Sequence, residues 1–77
     1  PQNYPAFFNL GLCFYNLKRY DEAATNFQKS VAIKPDYARA NQWLGNTLLA
    51  QNKLDLAMVW FQKTLQFEPQ NFNVHYR

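Results

Sequence analysis

The sequence predicts an all-α fold, an α-solenoid of antiparallel helix–turn–helix units. The first observation is an internal repetition: residues 9–35 return 34 positions later as residues 43–69. The second is the spacing of apolar residues at intervals of three and four within each stretch, which is helical. The third is a proline at the same place in each period, where the preceding residue is pushed out of helical geometry. A period of this length indicates stacked supersecondary units.

The elements follow in order from these signals. The polar breaks between the apolar runs read NLKRY in the first unit and AQNKL in the second, and both suit a tight turn. Asn52 can adopt a left-handed conformation at low cost, and Asp36 can cap the helix after the first proline. We therefore predict helices over Tyr4–Leu17, Asp21–Lys34, Tyr37–Gln51 and Asp55–Glu68, with the start of a fifth from Phe72.

The residues that return at the fixed offset of 34 have a structural explanation. Gly11 and Gly45 fall in mid-helix, where each costs about 1 kcal/mol relative to alanine. We therefore expect a neighbouring helix to approach too closely for a β-carbon. The helical wheel of the first predicted helix places Phe7, Leu10 and Phe14 in the core. The repeated positions are Leu10 and Leu44, Gly11 and Gly45, Ala23 and Ala57, Phe27 and Phe61, and Pro35 and Pro69.

This pattern resembles the signature of the tetratricopeptide repeat family, W-x2-L-G-x2-Y, then A-x3-F, then P. The first unit matches it with Phe7, Leu10, Gly11, Phe14, Ala23, Phe27 and Pro35, and the second with Asn41, Leu44, Gly45, Leu48, Ala57, Phe61 and Pro69. Two departures stand out. Asn41 replaces the large aromatic residue at the first signature position, with Trp43 two residues later, and Lys18 stands where many repeats carry glycine.

The resemblance implies a right-handed superhelix and one domain over residues 1–77. Residues 1–3 would end a preceding repeat, residues 4–37 and 38–71 would be two repeats, and residues 72–77 would begin the first helix of a third. We expect such a chain to be a fragment of a longer array. The resemblance also implies a non-catalytic interaction module or scaffold that binds a protein or peptide through the concave face of the first helices.

The helical wheel identifies a candidate binding arc on that face. Its rings and aliphatic side chains would take apolar groups, its amides would bond a peptide backbone, and Arg39 would meet a carboxylate. Trp43 is predicted to be exposed and to contact either a bound partner or another copy of the chain. Phe8 and Tyr15 have two interpretations, contact with a partner or packing against the adjacent helix. Asn9 and Asn46 also have two, contact with a partner or an ordinary surface amide. The candidate partner-binding residues are Phe8, Asn9, Leu12, Tyr15, Arg39, Gln42, Trp43, Asn46 and Leu49.

Composition argues against other classes of function. Apolar residues make up 48% of the 77-residue chain and aromatic residues 18%, too many for a disordered segment. No apolar run is long enough to span a bilayer, so no membrane partner is expected. The net charge of +3 comes from scattered basic residues, whereas a nucleic-acid binder gathers them on one face.

We expect no enzyme, cofactor or metal site. Asp21 and Glu22 fall in a first helical turn, where acids complement the helix dipole. Cys13 is predicted to be a buried, inert thiol, and His75 is the single histidine, so no metal constellation or internal disulfide can form. One reduced cysteine is compatible with a cytoplasmic location.

The sequence bears on two further functions of such arrays. The chain can be a structural segment that self-associates, its groove and ends covered by another copy or by flanking repeats. Some family members also clamp chaperone C-termini with Lys and Asn side chains on these helices. Phe8, Leu12 and Trp43 take those positions here, and in a second register Trp43 blocks the last basic one, so we do not expect this clamp.

Overall fold

The computed structural model describes residues 3–67, which form four α-helices. The helices α1 and α2 pack as one hairpin, α3 and α4 pack as a second, and α2 packs on α3 to stack the two. Each end lies within one residue of its predicted position, and the predicted start of a fifth helix lies outside the described residues. The bounds are α1 Tyr4–Asn16, α2 Tyr20–Ile33, α3 Ala38–Ala50 and α4 Leu54–Phe67.

The two hairpin turns have the same geometry. Lys18 has φ 62° and Asn52 has φ 65°, so both residues are left-handed. In each turn the next backbone N–H donates back to the end of the first helix, from Arg19 to the Phe14 carbonyl at 2.9 Å and from Lys53 to the Leu48 carbonyl at 2.8 Å. The prediction for Asn52 is confirmed, and Lys18 adopts the same conformation without the local help that an asparagine side chain gives.

The predicted cap of α3 by Asp36 is wrong. The residue before α3 is Tyr37, and no side chain caps this helix end. The Asp36 carboxylate lies instead 3.1 Å from the Lys34 Nζ. It accepts a hydrogen bond from the ammonium group, and its charge also favours the protonated form, so the pKa of Lys34 is raised. Both side chains are solvent-exposed, so this pair adds little to stability.

The repeat glycines lie where the predicted close approach occurs. A β-carbon on Gly11 would lie 2.5 Å from Cε1 of Phe27, and one on Gly45 would lie 2.6 Å from Cε1 of Phe61. Each ring therefore packs directly on the first helix of its own hairpin, and not only between successive units. Ala23, fully buried on α2, belongs to the same core.

Burial on α1 differs from the prediction. Leu10 is 47% exposed, whereas Leu44 at the same repeat position is 0% exposed. Phe7 and Phe14 are only half-buried. The reason is that α2 covers this side of α3, while no helix among residues 3–67 covers the same side of α1. Cys13 is also exposed, so the prediction of a buried thiol is wrong.

Candidate functional site

A pocket of about 340 Å³ opens on the side of the molecule that α1 and α3 share. We call it the groove pocket. One residue of α1 and four of α3 line it: Tyr15, Trp43, Asn46, Leu49 and Ala50. The α3 residues fall at intervals of three and four, so they share one helix face. The lining combines two rings, two aliphatic side chains and one amide, and none of the five residues is Asp, Glu, Lys, Arg or His.

Trp43 is half-buried, so the prediction of an exposed tryptophan is wrong. Its ring meets Tyr15 edge-on at 5.1 Å between centroids and stacks beside Phe27 at 6.4 Å. Tyr15 is in turn edge-on to Tyr20 at 5.3 Å. Trp43 therefore joins the second hairpin to the first while its remaining surface forms a wall of the groove pocket. Aromatic pairs in this geometry contribute about 0.5–1.5 kcal/mol beyond the burial of their area.

Asn46 is the polar group of the pocket. Its side chain is only 6% exposed, and its Oδ1 is buried without a hydrogen-bond partner among the described residues. A buried acceptor without a donor costs about 1–3 kcal/mol, so such atoms are rare in folded proteins. This atom is therefore a point at which a donor from a bound molecule would be favourable.

Phe8 lies in the core, 2% exposed, and not on an open face. Its ring packs against Phe27 at 5.7 Å and Tyr37 at 5.3 Å, with the Arg39 guanidinium 5.1 Å from its centroid. The wheel of α1 alone could not show this burial, since Tyr37 belongs to the connection between the hairpins. Tyr37 is the residue that the sequence analysis missed, and only an aromatic residue directly before α3 hinted at its role.

The remaining candidates spread over a wider surface. Leu49 is half-buried in the groove pocket, whereas Asn9, Leu12, Arg39 and Gln42 do not line it. Asn9 and Arg39 are exposed, Leu12 is half-buried, and Gln42 is buried. The structure thus brings together Tyr15, Trp43, Asn46 and Leu49 out of the nine candidates.

Residues 3–67 contain neither a group of metal ligands nor a helix that could span a membrane. No group of three or more His, Cys, Asp or Glu side chains in this part is placed to hold a metal ion. No described helix has the length and apolar character needed to cross a membrane.

Comparison with known proteins identifies the family. Residues 4–37 match one tetratricopeptide repeat model, and residues 38–71 match a second. The chain belongs to the tetratricopeptide repeat family. This tetratricopeptide repeat chain is all-α, as the sequence predicted, and its family in general forms non-catalytic modules for protein–protein interaction.

Several curated proteins are similar to this tetratricopeptide repeat chain. It is 33% identical over 69 residues to DnaJ homolog subfamily C member 3 of Mus musculus, a match that covers 90% of the chain and 14% of that protein. It is 31% identical over 71 residues to small glutamine-rich tetratricopeptide repeat-containing protein 2 of Saccharomyces cerevisiae, covering 92% and 20%. It is 28% identical over 71 residues to Hsp70-Hsp90 organizing protein of Triticum aestivum, covering 92% and 12%. The chain therefore spans a fifth or less of these relatives.

Proposed function

We propose that the chain binds an extended peptide of a partner protein in the groove between α1 and α3, without catalysis. The observation that carries the proposal is the Asn46 Oδ1, buried and without a partner within residues 3–67, in a pocket whose other walls are rings and aliphatic side chains. Such a lining, mostly apolar with one placed polar group, is typical of a binding pocket.

The groove pocket offers two contacts to a peptide. An apolar side chain would fill the space against Tyr15, Trp43 and Leu49, a burial worth about 1.5–3 kcal/mol for a leucine-sized group. A backbone N–H of the same peptide would donate to the Asn46 Oδ1, which adds about 0.5–1.5 kcal/mol. Apolar contact supplies most of the affinity, and the amide sets the position of the peptide.

Arg39 supports a preference for a carboxylate nearby. It lies one helical turn before Trp43 on α3, and its exposed guanidinium rests on the Phe8 ring. A guanidinium stays charged at all relevant pH values and can hold a carboxylate through two parallel hydrogen bonds. The favoured ligand is therefore a peptide with an apolar residue and a nearby carboxylate. The carboxylate is either an acidic side chain before or after the apolar residue, or a free C-terminus after it.

The relatives support a protein as the class of partner and nothing more specific. The names DnaJ homolog and Hsp70-Hsp90 organizing protein describe those relatives and not this chain. In this chain Phe8 is buried and Trp43 forms an aromatic wall, at positions where a clamp for chaperone C-termini would need Lys and Asn. An apolar peptide therefore fits this groove better than a ligand held by several charged contacts.

The test is a selection of peptides from a random library with free C-termini, followed by calorimetry on the wild-type chain. Asn46→Leu should weaken the best peptide about 3- to 10-fold, the loss of one hydrogen bond. The free energy of unfolding of the Asn46→Leu variant should equal or exceed that of the wild type, because the leucine removes an acceptor that has no partner. Leu49→Glu should abolish binding, and Gln62→Ala on the exposed face of α4 should change nothing. Wild-type affinity in both groove variants would overturn the proposal.

Self-association is a second candidate function, and a specific observation favours it. The side of α1 that carries Leu10 is uncovered, while the equivalent side of α3 packs on α2. On α4, Met58 is exposed where the equivalent Ala24 on α2 is buried. Within residues 3–67, the outer sides of α1 and α4 therefore carry the two halves of the contact that already joins the hairpins, and copies can stack head to tail.

Sedimentation separates the two candidates. Wild type and Leu10→Lys would be compared from about 1 to 200 µM, a range in which mass action reveals weak association. Association in the wild type that Leu10→Lys abolishes supports head-to-tail stacking. A wild-type chain that stays monomeric over the whole range argues against it and leaves the groove as the site of function.

A further inference from the structure

A second pocket, of about 160 Å³, lies on the opposite side of α3 from the groove pocket. We call it the outer pocket. It is bounded by the end of α2, by α3 and by α4, and its lining residues are Val31, Pro35, Asn41, Trp60, Lys63, Gln66 and Phe67. It shares no lining residue with the groove pocket. Its volume is close to the roughly 150 Å³ of an engineered protein cavity that binds benzene.

The outer pocket is lined by three polar side chains, of which Lys63 and Gln66 are exposed and Asn41 is buried, at 0% exposure. The Asn41 Nδ2 donates to the Pro35 carbonyl at 3.1 Å and to the Tyr37 carbonyl at 2.9 Å. These two acceptors determine which end of the amide is nitrogen. The Oδ1 is therefore held away from them, and it is buried without a donor in the described part of the chain.

The internal repeat indicates what kind of group suits this pocket. The residue equivalent to Asn41 in the first hairpin is Phe7, and the Lys29 ammonium lies 5.5 Å from that ring's centroid. In the second hairpin the equivalent lysine is Lys63, and it lies 4.3 Å from the centroid of Trp60 instead. The second hairpin thus keeps the lysine that accompanies a ring but has an amide where the ring would be attached.

We propose that the outer pocket binds a phenol ring, either the side chain of a partner's tyrosine or a small free phenol. The ring would lie against Trp60 and Phe67, which supply an aromatic wall, with Val31 and Pro35 as aliphatic surface. Its hydroxyl would donate to the Asn41 Oδ1, the acceptor that has no partner. This site is independent of the groove, so either proposal can fail without the other.

The test uses p-cresol and toluene, which differ by the hydroxyl alone, in titrations followed by backbone amide shifts of the wild-type chain. p-Cresol should shift the amides of Val31 and Lys63 and bind about 3- to 10-fold more tightly than toluene. Equal affinities, or shifts centred on Tyr15 and Leu49, would overturn the proposal without the use of any variant.

Three variants locate the contact. Asn41→Leu removes the acceptor at similar volume and should abolish the preference for p-cresol. Asn41→Phe restores the ring found at Phe7 and should abolish binding of both probes. Asn46→Leu, in the groove pocket, should leave the preference unchanged. A preference for p-cresol that survives Asn41→Leu would contradict the assignment.

N-acetyl-tyrosinamide distinguishes the two sources of the phenol. Binding as tight as that of p-cresol supports a partner's tyrosine, because the pocket then admits a ring attached to a peptide backbone. Binding of p-cresol alone supports a small free phenol. If neither binds, the pocket is only a packing gap left by Asn41 and the proposal is wrong.

Discussion

At the scale of single residues, the contact between Gly11 and Phe27 holds the first hairpin together. The Phe27 ring is fully buried and lies where a β-carbon of residue 11 would have to be. Phe61 lies on Gly45 in the same way in the second hairpin. A packed interior does not yield by an ångström without cost, so each glycine is required by its ring.

Gly11→Ala should therefore lower the free energy of unfolding by up to about 2 kcal/mol. This is the usual overpacking cost of about 1–3 kcal/mol less the gain of about 1 kcal/mol that alanine brings in helix propensity. The measurement is urea unfolding of the two single variants and the double variant Gly11→Ala with Phe27→Leu. The double variant should lose less than the sum of the singles, because leucine leaves room for the methyl group. Additive losses would show that the two residues do not meet.

Asn41 and Asn46 lie on opposite sides of one helix. Both amides are buried, both have an oxygen without a partner within residues 3–67, and each lines a different pocket. An unpaired polar group is costly in a buried site, so a donor from a bound molecule would be favourable at either oxygen.

At the scale of elements, the two hairpin turns share one backbone conformation but not one residue type. Asn52 tolerates a positive φ because its short polar side chain can bond locally, whereas Lys18 has no such help. The first turn therefore stores more backbone strain than the second.

Lys18→Gly should raise the free energy of unfolding by about 0.5–1 kcal/mol, since relief of the left-handed strain exceeds the entropy that glycine adds to the unfolded chain. Asn52→Gly, the matched change in the second turn, should give a gain near zero. Thermal melts of both variants beside the wild type measure the difference. A loss of stability in Lys18→Gly would mean that the lysine stem packs on the turn and contributes more than its strain costs.

At the scale of the whole molecule, stability depends on how the hairpins stack. The surface of α3 that carries Leu44 packs on α2 of the preceding hairpin, whereas no helix within residues 3–67 covers the same surface of α1. The same residue type is therefore buried in one unit and exposed in the other. Leu44 and Leu10 are the clearest pair. A 77-residue chain has a small core, and the contact between α2 and α3 is the main contact between its two hairpins.

Leu44→Ala should cost about 2–5 kcal/mol, the usual range for a fully buried leucine. Leu10→Ala should cost less than about 1 kcal/mol, because nearly half of its side chain already meets water. Urea unfolding at low protein concentration measures both changes, and a shared m-value would confirm that they can be compared. Equal losses of unfolding free energy would show that Leu10 is covered in solution. Another copy of the chain would then cover the side chain that is exposed here.

The helices, their order and their period can be predicted from local signals in the sequence. The helix ends were predicted to within one residue because prolines, polar breaks and left-handed turn residues act through local backbone geometry. The close contact at Gly11 was also predictable, since a glycine in mid-helix is costly unless something replaces the missing side chain. The family and its interaction function follow from the same repeated positions.

Which helix faces are exposed depends on how the helices pack against one another. Phe8 is buried by Tyr37 from the connection between the hairpins, and Trp43 is partly covered by Tyr15 from the neighbouring helix. Asp36 pairs with Lys34 instead of capping α3. A helical wheel shows which residues share a face but not what lies against that face. Burial is a property of two elements together, so the groove and the outer pocket appear only when the helices are packed.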